Sequence, residues 1–512
     1  MQNHPTPVEK TSKRLAHSPL FLVLVFALAV FGLSSGCNQD LDETNDVVKE
    51  VIEVPVDMQV LVVGQLDLGS RIKRQWAARR DGVLEIVDVT VAEFVASDYQ
   101  VVKDTDVVIY PPGLMGELVS REQLKQVPLR LVDSDGYNKR EILQHFRISV
   151  VRRQGINWAV PLGSPHFTMM FNRQAMESVT LPQTWDRMER TLEKIAASSF
   201  VTSREGIEAK VDMPLASGWA AQTFLARVAP SICYRGKLSS LFDRSDMNPL
   251  INSAPFVEAL EQLKEIASQR SLELDPFEAY QLAATGQSAI AIGWPATRSL
   301  DANVETDAKV DKNQGQDGSA KSESDDVHRS DERLTIQSLP GMEAWFDISS
   351  NGWINRNSEE DIRVDLVGFN GLVASVAAKS VNESDAWDLL EFVSEKTISK
   401  IILTDIPQSG PFRASHLGDA SHWTGDLISV DVADEYADVI AAGHSRNTTL
   451  LFPRIPESQR YIAVLDQAVR SAVSGEKSSQ AALEEAAKTW EAITNAVGLK
   501  EQIQEIKRES GI

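Results

Sequence analysis

The apolar positions of this chain fall into two kinds of pattern. Short apolar-rich runs, MQVLVV (Met58–Val63), VLEIVDVTV (Val83–Val91), DVVIY (Asp106–Tyr110) and SAIAIGW (Ser288–Trp294), read as strands, the first and last of the buried type. Between the first two, SRIKRQWAAR (Ser70–Arg79) sets Ile72, Trp76 and Ala77 on one helical face. Strand, helix, strand with short loops predicts a parallel sheet covered by helices. Loops at the carboxyl ends of such strands are where open α/β sheets hold ligands. Pro112 and Gly113, just after the third run, are therefore candidate binding residues.

Longer stretches carry helical spacing: WDRMERTLEKIAAS from Trp185, SGWAAQTFLARVA from Ser217, SAPFVEALEQLKEIAS from Ser253 and AWDLLEFVSEKTISKIIL from Ala386. Two more helices close the chain, one from about Ser458 and one from Ser478 or Ser479. Thr184 is placed to cap the first stretch, and Asn382 or Ser384 the fourth. Two regions break the pattern. AVPLGSPHFTMMFN (Ala159–Asn172) is an apolar run interrupted at Pro161–Pro165, which inside a core would strand backbone hydrogen-bonding groups. It suits a passage from one body to another. Asp301–Glu332 has no aromatic and almost no apolar residue, which predicts a disordered surface insertion.

A length of 512 residues implies at least two lobes. The formal charge of −22 argues against nucleic acid and suits a soluble monomer. Lys10, Lys13 and Arg14 precede the apolar Leu20–Leu33, and SSGC follows at Ser34–Cys37. A basic start, a short apolar core and small residues before a cut site describe an export signal. The end at Gly36-Cys37 resembles the lipobox of bacterial lipoproteins, which implies lipidation of Cys37 and a membrane anchor. An uncleaved anchor or a plain secretory signal is the alternative. The acidic stretch after it reads as a tether. The only other cysteine, Cys233, is expected to be a small buried hydrophobe, leaving no intrachain disulfide if Cys37 is lipidated.

Taken in order, several segments resemble the extracellular solute-binding protein family 1, the capture subunits of bacterial ATP-driven importers. They are Val160-Pro161-Leu162-Gly163, Met170-Phe171-Asn172-Arg173, Pro182-Gln183-Thr184-Trp185-Asp186, AIAIGWPA, TIQSLPG, GFNGLVAS with NESDAWDLLEFV, GPFRASHL (Gly410–Leu417), and the C-terminal helix pair. Trp294 and Pro295 stand in swapped order relative to the family's usual Pro-Trp. The resemblance implies a two-lobed α/β protein of the periplasmic-binding type II fold, each lobe a mostly parallel sheet flanked by helices. In that organisation 1–36 is the signal and 37–55 the tether. The first lobe takes 56–160 and 372–420, the hinges 161–165 and 367–371, and the second lobe 166–366, with the 301–332 insertion, and 421–512. A third crossing is expected after Asp419. Two lobes on a few hinge residues close over a ligand and present a changed surface to a membrane permease.

A sugar needs flat amphipathic rings and directed polar groups around it. Trp294, ending a buried strand, is the leading candidate, against a core role beside Pro295. Phe369 and Asn370 lie in the second crossing, where the flanking Gly368 and Gly371 allow either close approach or hinge bending. Ser164, His166 and Phe167 follow the first hinge. Trp219 either lines the cleft or packs under the helix it begins, and Tyr461 falls near a family position that often stacks on ligand. Arg413 reads as structural. No metal-ligand grouping and no cofactor motif is present, and neither a Gly-x-Ser-x-Gly elbow nor His-Glu-x-x-His points to a hydrolase. The leading reading is capture of a small solute, with carbohydrate first, for an ABC-type permease. A lipid-anchored sensor of the same fold is the alternative, and an exported hydrolase a lesser one.

Overall fold

The computed structural model describes residues 56–509, apart from 66, 80–81, 178, 238, 296–333, 405, 407 and 426–427. The expected signal, Cys37, the tether and the 301–332 insertion therefore lie outside the described residues. The first three apolar runs form Met58–Val63, Leu84–Val89 and Val107–Tyr110, paired parallel with Met58–Val63 in the middle. The last residues of the second run instead start a short helix, Val91–Ala96, held by a reciprocal cap between Thr90 and Glu93. Two strands from later in the chain complete the sheet: Val373–Val376 runs antiparallel to Val107–Tyr110, and Val160–Pro161 antiparallel to Val373–Val376. Its core takes Ile72 and Trp76 from the helix Leu68–Ala77, and Trp387 and Phe392 from the helix Glu383–Ser394. Trp76 meets Phe392 edge to face at 5.4 Å.

The second lobe has its own sheet, in the order Leu334–Ser338, Thr168–Asn172, Ile290–Gly293, Val211–Asp212. Only its last pair is parallel, so the expectation of a mostly parallel sheet holds for the first three strands of the first lobe and not here. Thr168–Asn172 enters straight from the crossing without a crossover helix to reverse the chain. It pairs antiparallel on both sides. Thr184 does not cap a helix. Its backbone is extended and bridges Gly341, and the helix begins at Met188 after a turn over Trp185–Arg187. Asn382 likewise turns its amide to the Asp57 carbonyl and the Asp106 carboxylate rather than to its helix. Ser478 does cap its helix, accepting from the Ala481 N–H at 3.2 Å. Cys233 is buried, and burial pushes its thiol pKa up. Arg413 is fully buried and donates to the Tyr137 and Ser394 carbonyls.

The interrupted run at Pro161–Pro165 lies where the two cores meet: Leu162 belongs to the first and Phe167 to the second. Here the two crossing segments exchange backbone bonds, Leu162 N–H to the Leu372 carbonyl and Leu372 N–H to the Gly163 carbonyl, both at 2.8 Å. The crossing is packed backbone on backbone. Gly371 has φ +95°, and a Cβ there would lie 2.3 Å from the Gly163 carbonyl oxygen. Gly371→Ala is expected to cost about 1–3 kcal/mol from backbone conformation alone. A lowered thermal midpoint checks this. Beside it, Asp365–Val367 runs parallel to Thr449–Leu451. A further passage lies between Trp423 in the first core and Ile428 in the second.

Candidate functional site

A cleft of about 630 Å³ opens between the lobes. The first lobe contributes Val91, Pro111, Gly113 and Gln408, and the crossing segments contribute Phe369, Asn370 and Phe452. The second lobe supplies Ser217, Gly218, Trp219 and Gln222 around one helix start, and Gln459, Ile462, Ala463, Asp466, Gln467 and Arg470 along the helix Ser458–Val473. Those last six positions recur at three- and four-residue spacing, so one face of the helix looks into the cleft.

Its apolar walls are aromatic. Trp219 is half-buried and meets Trp294 edge to face at 5.4 Å, and Trp294 meets Phe167 the same way at 5.0 Å. Phe369 and Phe452 form a second edge-to-face pair at 5.1 Å. Trp219 is therefore the exposed end of an aromatic ladder whose buried rungs fix its plane.

The two charged groups in the cleft are committed to the protein. Asp466 accepts from the Gly218 and Ala221 N–H groups, both at 3.1 Å, at the start of the helix Ala220–Ile232. Burial raises its pKa, against the pull of those N–H groups. Arg470 donates to the carbonyls of Leu215 and Leu272. The amide side chains of Gln222, Gln408, Gln459, Gln467 and Asn370 have no hydrogen-bond partner among the described residues, and Gln222 Oε1 is buried. An amide offers a donor and an acceptor together, which matches hydroxyl groups and neutralises no charge. An unsatisfied buried acceptor costs free energy that a bound hydroxyl recovers.

Of the residues singled out from the sequence, Trp219, Phe369, Asn370 and Gly113 line this cleft. Trp294 does not. It is 2% exposed and stands behind Trp219 as a support. Trp294→Ala is expected to lower stability by about 3–5 kcal/mol, read as a shifted urea midpoint. Pro112 is buried behind Pro111 and Gly113. Tyr461 is fully buried between Phe242 and Trp490, with its hydroxyl 2.8 Å from Thr494. It sits on the correct helix but points to the core, while Gln459 and Ile462 on either side reach the cleft.

Ser164, His166 and Phe167 also miss the cleft and border a separate void of about 20 Å³ beside the crossing. The Ser164 hydroxyl donates to its neighbouring Pro165 carbonyl. His166 Nε2 lies 3.0 Å from Asp365, which also accepts from Arg446 at 2.6 Å. Burial alone raises the Asp365 pKa; His166 and Arg446 overcome it and hold the carboxyl far below the usual range.

Close by, the lobes touch through histidines. The His145 N–H donates to His444 Nδ1 at 3.3 Å, His145 Nε2 lies 3.0 Å from the Gly443 carbonyl, and the His444 ring stacks on Phe146 at 5.2 Å. His444 must be unprotonated at Nδ1 to accept. Burial is the main cause of lowered pKa values at both His145 and His444; the charge of His166 adds at both, that of Arg446 at His145 and that of His145 at His444, while the Gly443 carbonyl opposes at His145 and Asp365 at both. His416, buried elsewhere in the first lobe, is pushed down to about 3, chiefly by burial. Histidines depressed in the folded state contribute stability above the unfolded value of about 6.5, lost as pH falls through the folded values. The denaturation midpoint is therefore expected to fall between pH 7.5 and pH 5. His444→Gln keeps an acceptor without titrating and is expected to flatten that slope.

No family model matches this sequence, and no curated protein matches it. Solved structures match the fold. MalE3 of Thermotoga maritima, solved with maltose, is 15% identical, with a TM-score of 0.59 over 86% of this chain and all of that one. The sugar-binding protein MalE of Xanthomonas citri is 14% identical, with a TM-score of 0.60 over 86% of this chain and 98% of that one. A solute-binding protein of Agrobacterium vitis, solved with D-mannitol, is 15% identical, with a TM-score of 0.56 over 86% of this chain and 99% of that one. The fold is that of the two-lobed solute-binding proteins, in the type II arrangement that the ordered segments implied.

Proposed function

We propose that this protein captures an uncharged carbohydrate in the interlobe cleft and hands it to an ABC-type membrane permease. The observation that carries the reading is the lining: an aromatic platform at Trp219 faced by free amides, with both nearby charged groups hydrogen-bonded to the protein backbone. A sugar ring presents apolar C–H faces to such a platform and hydroxyls to such amides. The fold neighbours solved with maltose and D-mannitol are consistent with it. The chain is proposed to act outside the cytoplasm as a monomer, anchored through Cys37 at the end of its export-type signal.

A thermal-shift screen tests this against neutral mono-, di- and oligosaccharides, sugar phosphates and sugar acids. A ligand at about 100 times its dissociation constant adds about 2.7 kcal/mol to folding. Neutral sugars are expected to raise the midpoint and their charged analogues to leave it unmoved. A shift by the charged analogues alone overturns the reading.

A further inference from the structure

A second groove, of about 600 Å³, lies wholly on the second lobe and shares no residue with the cleft. It runs between the helix Ala254–Ile266 and the hairpin Ala344–Asp347/Gly352–Asn355. One wall is Trp353, 42% exposed, with its ring held edge to face by Phe346 at 5.5 Å. A large exposed indole in a groove offers a stacking surface.

The polar lining is unbalanced. Arg227 is 5% exposed and lines the groove, its guanidinium 5.0 Å over the Trp185 ring. Nε and Nη2 both donate to Gln262 Oε1, while the buried Nη1 has no partner and no carboxylate lies within ion-pair distance among the described residues. Burial pushes its pKa down, with Asp186 and Glu258 pulling the other way from farther off. A buried cationic N–H without an acceptor is costly, and an oxygen from a ligand at Nη1 satisfies it. The carboxylates of Asp186, Glu258, Glu261 and Glu265 also line the groove, none in an ion pair with a described residue. Four carboxylates against one guanidinium leave the groove anionic.

We propose that this groove binds an amine-bearing saccharide, a cationic amino sugar. Its ring stacks on Trp353, its ammonium meets the carboxylates of Glu258 and Glu261, and a ring or hydroxyl oxygen accepts from Arg227. A simple polyamine satisfies the carboxylates and leaves Arg227 Nη1 without an acceptor. A neutral sugar satisfies Arg227 and leaves the carboxylates uncompensated. This site stands independently of the cleft and of the ligand proposed there.

The test is calorimetric titration of the full chain with a fully deacetylated glucosamine trimer, its N-acetylated counterpart and spermidine, at low and moderate salt. The deacetylated trimer is expected to bind at least about tenfold tighter than either comparison, with affinity falling as salt rises. Trp353→Ala and the double variant Glu258→Gln/Glu261→Gln are each expected to lower that affinity about tenfold, while Trp219→Ala in the cleft leaves it unchanged. All three change exposed or half-buried positions, and unaltered thermal midpoints confirm folded protein. No binding of the trimer, equal binding of the N-acetylated trimer or of spermidine, or loss in Trp219→Ala alone overturns the proposal.

Discussion

Trp219→Ala is expected to weaken carbohydrate capture by roughly 30- to 1,000-fold, or about 2–4 kcal/mol, the range of a central aromatic anchor. The indole is the one ring of the Phe167–Trp294–Trp219 ladder that reaches the cleft. Its plane is fixed by groups that do not touch ligand, so the variant loses the platform and keeps the supports. Folding is expected to change little, because Trp219 is only partly buried. Trp294→Ala behaves in the opposite sense, with a large stability loss and a binding loss that follows from a loosened Trp219. Titrations of both variants beside their unfolding curves separate the two roles.

Arg446→Met is expected to destabilise the protein by about 3–5 kcal/mol, because it leaves the buried Asp365 carboxylate without its guanidinium partner. Arg446 is 7% exposed and joins Asp365, Asp361 and Ser338 beside the crossing strand Asp365–Val367. Only the His166 contact would remain to Asp365. The double variant Arg446→Met/Asp365→Asn removes the stranded charge and is expected to recover much of the loss. Urea midpoints of the two variants measure it. Equal stability of Arg446→Met and the unaltered protein contradicts the assigned role of this cluster.

The parts of this architecture that depend on local pattern were readable from the chain. The apolar-rich runs became strands, and the broken run at Pro161–Pro165 lies between Leu162 of one core and Phe167 of the other. Strand direction in the second lobe was not readable, since Thr168–Asn172 carries the same apolar content whichever way its neighbours run. The lining of the candidate cleft was legible where a residue sat in a distinctive place: Phe369 and Asn370 between glycines, Gly113 after a strand, Trp219 at a helix start. It was illegible where the decision was one of helix face. Tyr461 and Gln459 are two residues apart, which on a helix turns one to the core and the other to the cleft. The free amides at Gln222, Gln459 and Gln467 left one usable signal, glutamines spaced along otherwise apolar or internally bonded faces. Glutamine is also an ordinary surface residue, so that spacing gains meaning only once the opposite lobe is in position.

The central claim is that the lobes close on a neutral sugar held against Trp219. Small-angle X-ray scattering with and without the sugar giving the largest thermal shift, on the unaltered protein and on Trp219→Ala, tests it most directly. The account predicts a smaller radius of gyration on adding sugar to the unaltered protein, and no change in Trp219→Ala at the same concentration. An unchanged radius in a protein that calorimetry shows to be saturated with sugar, or equal compaction in both proteins, contradicts it.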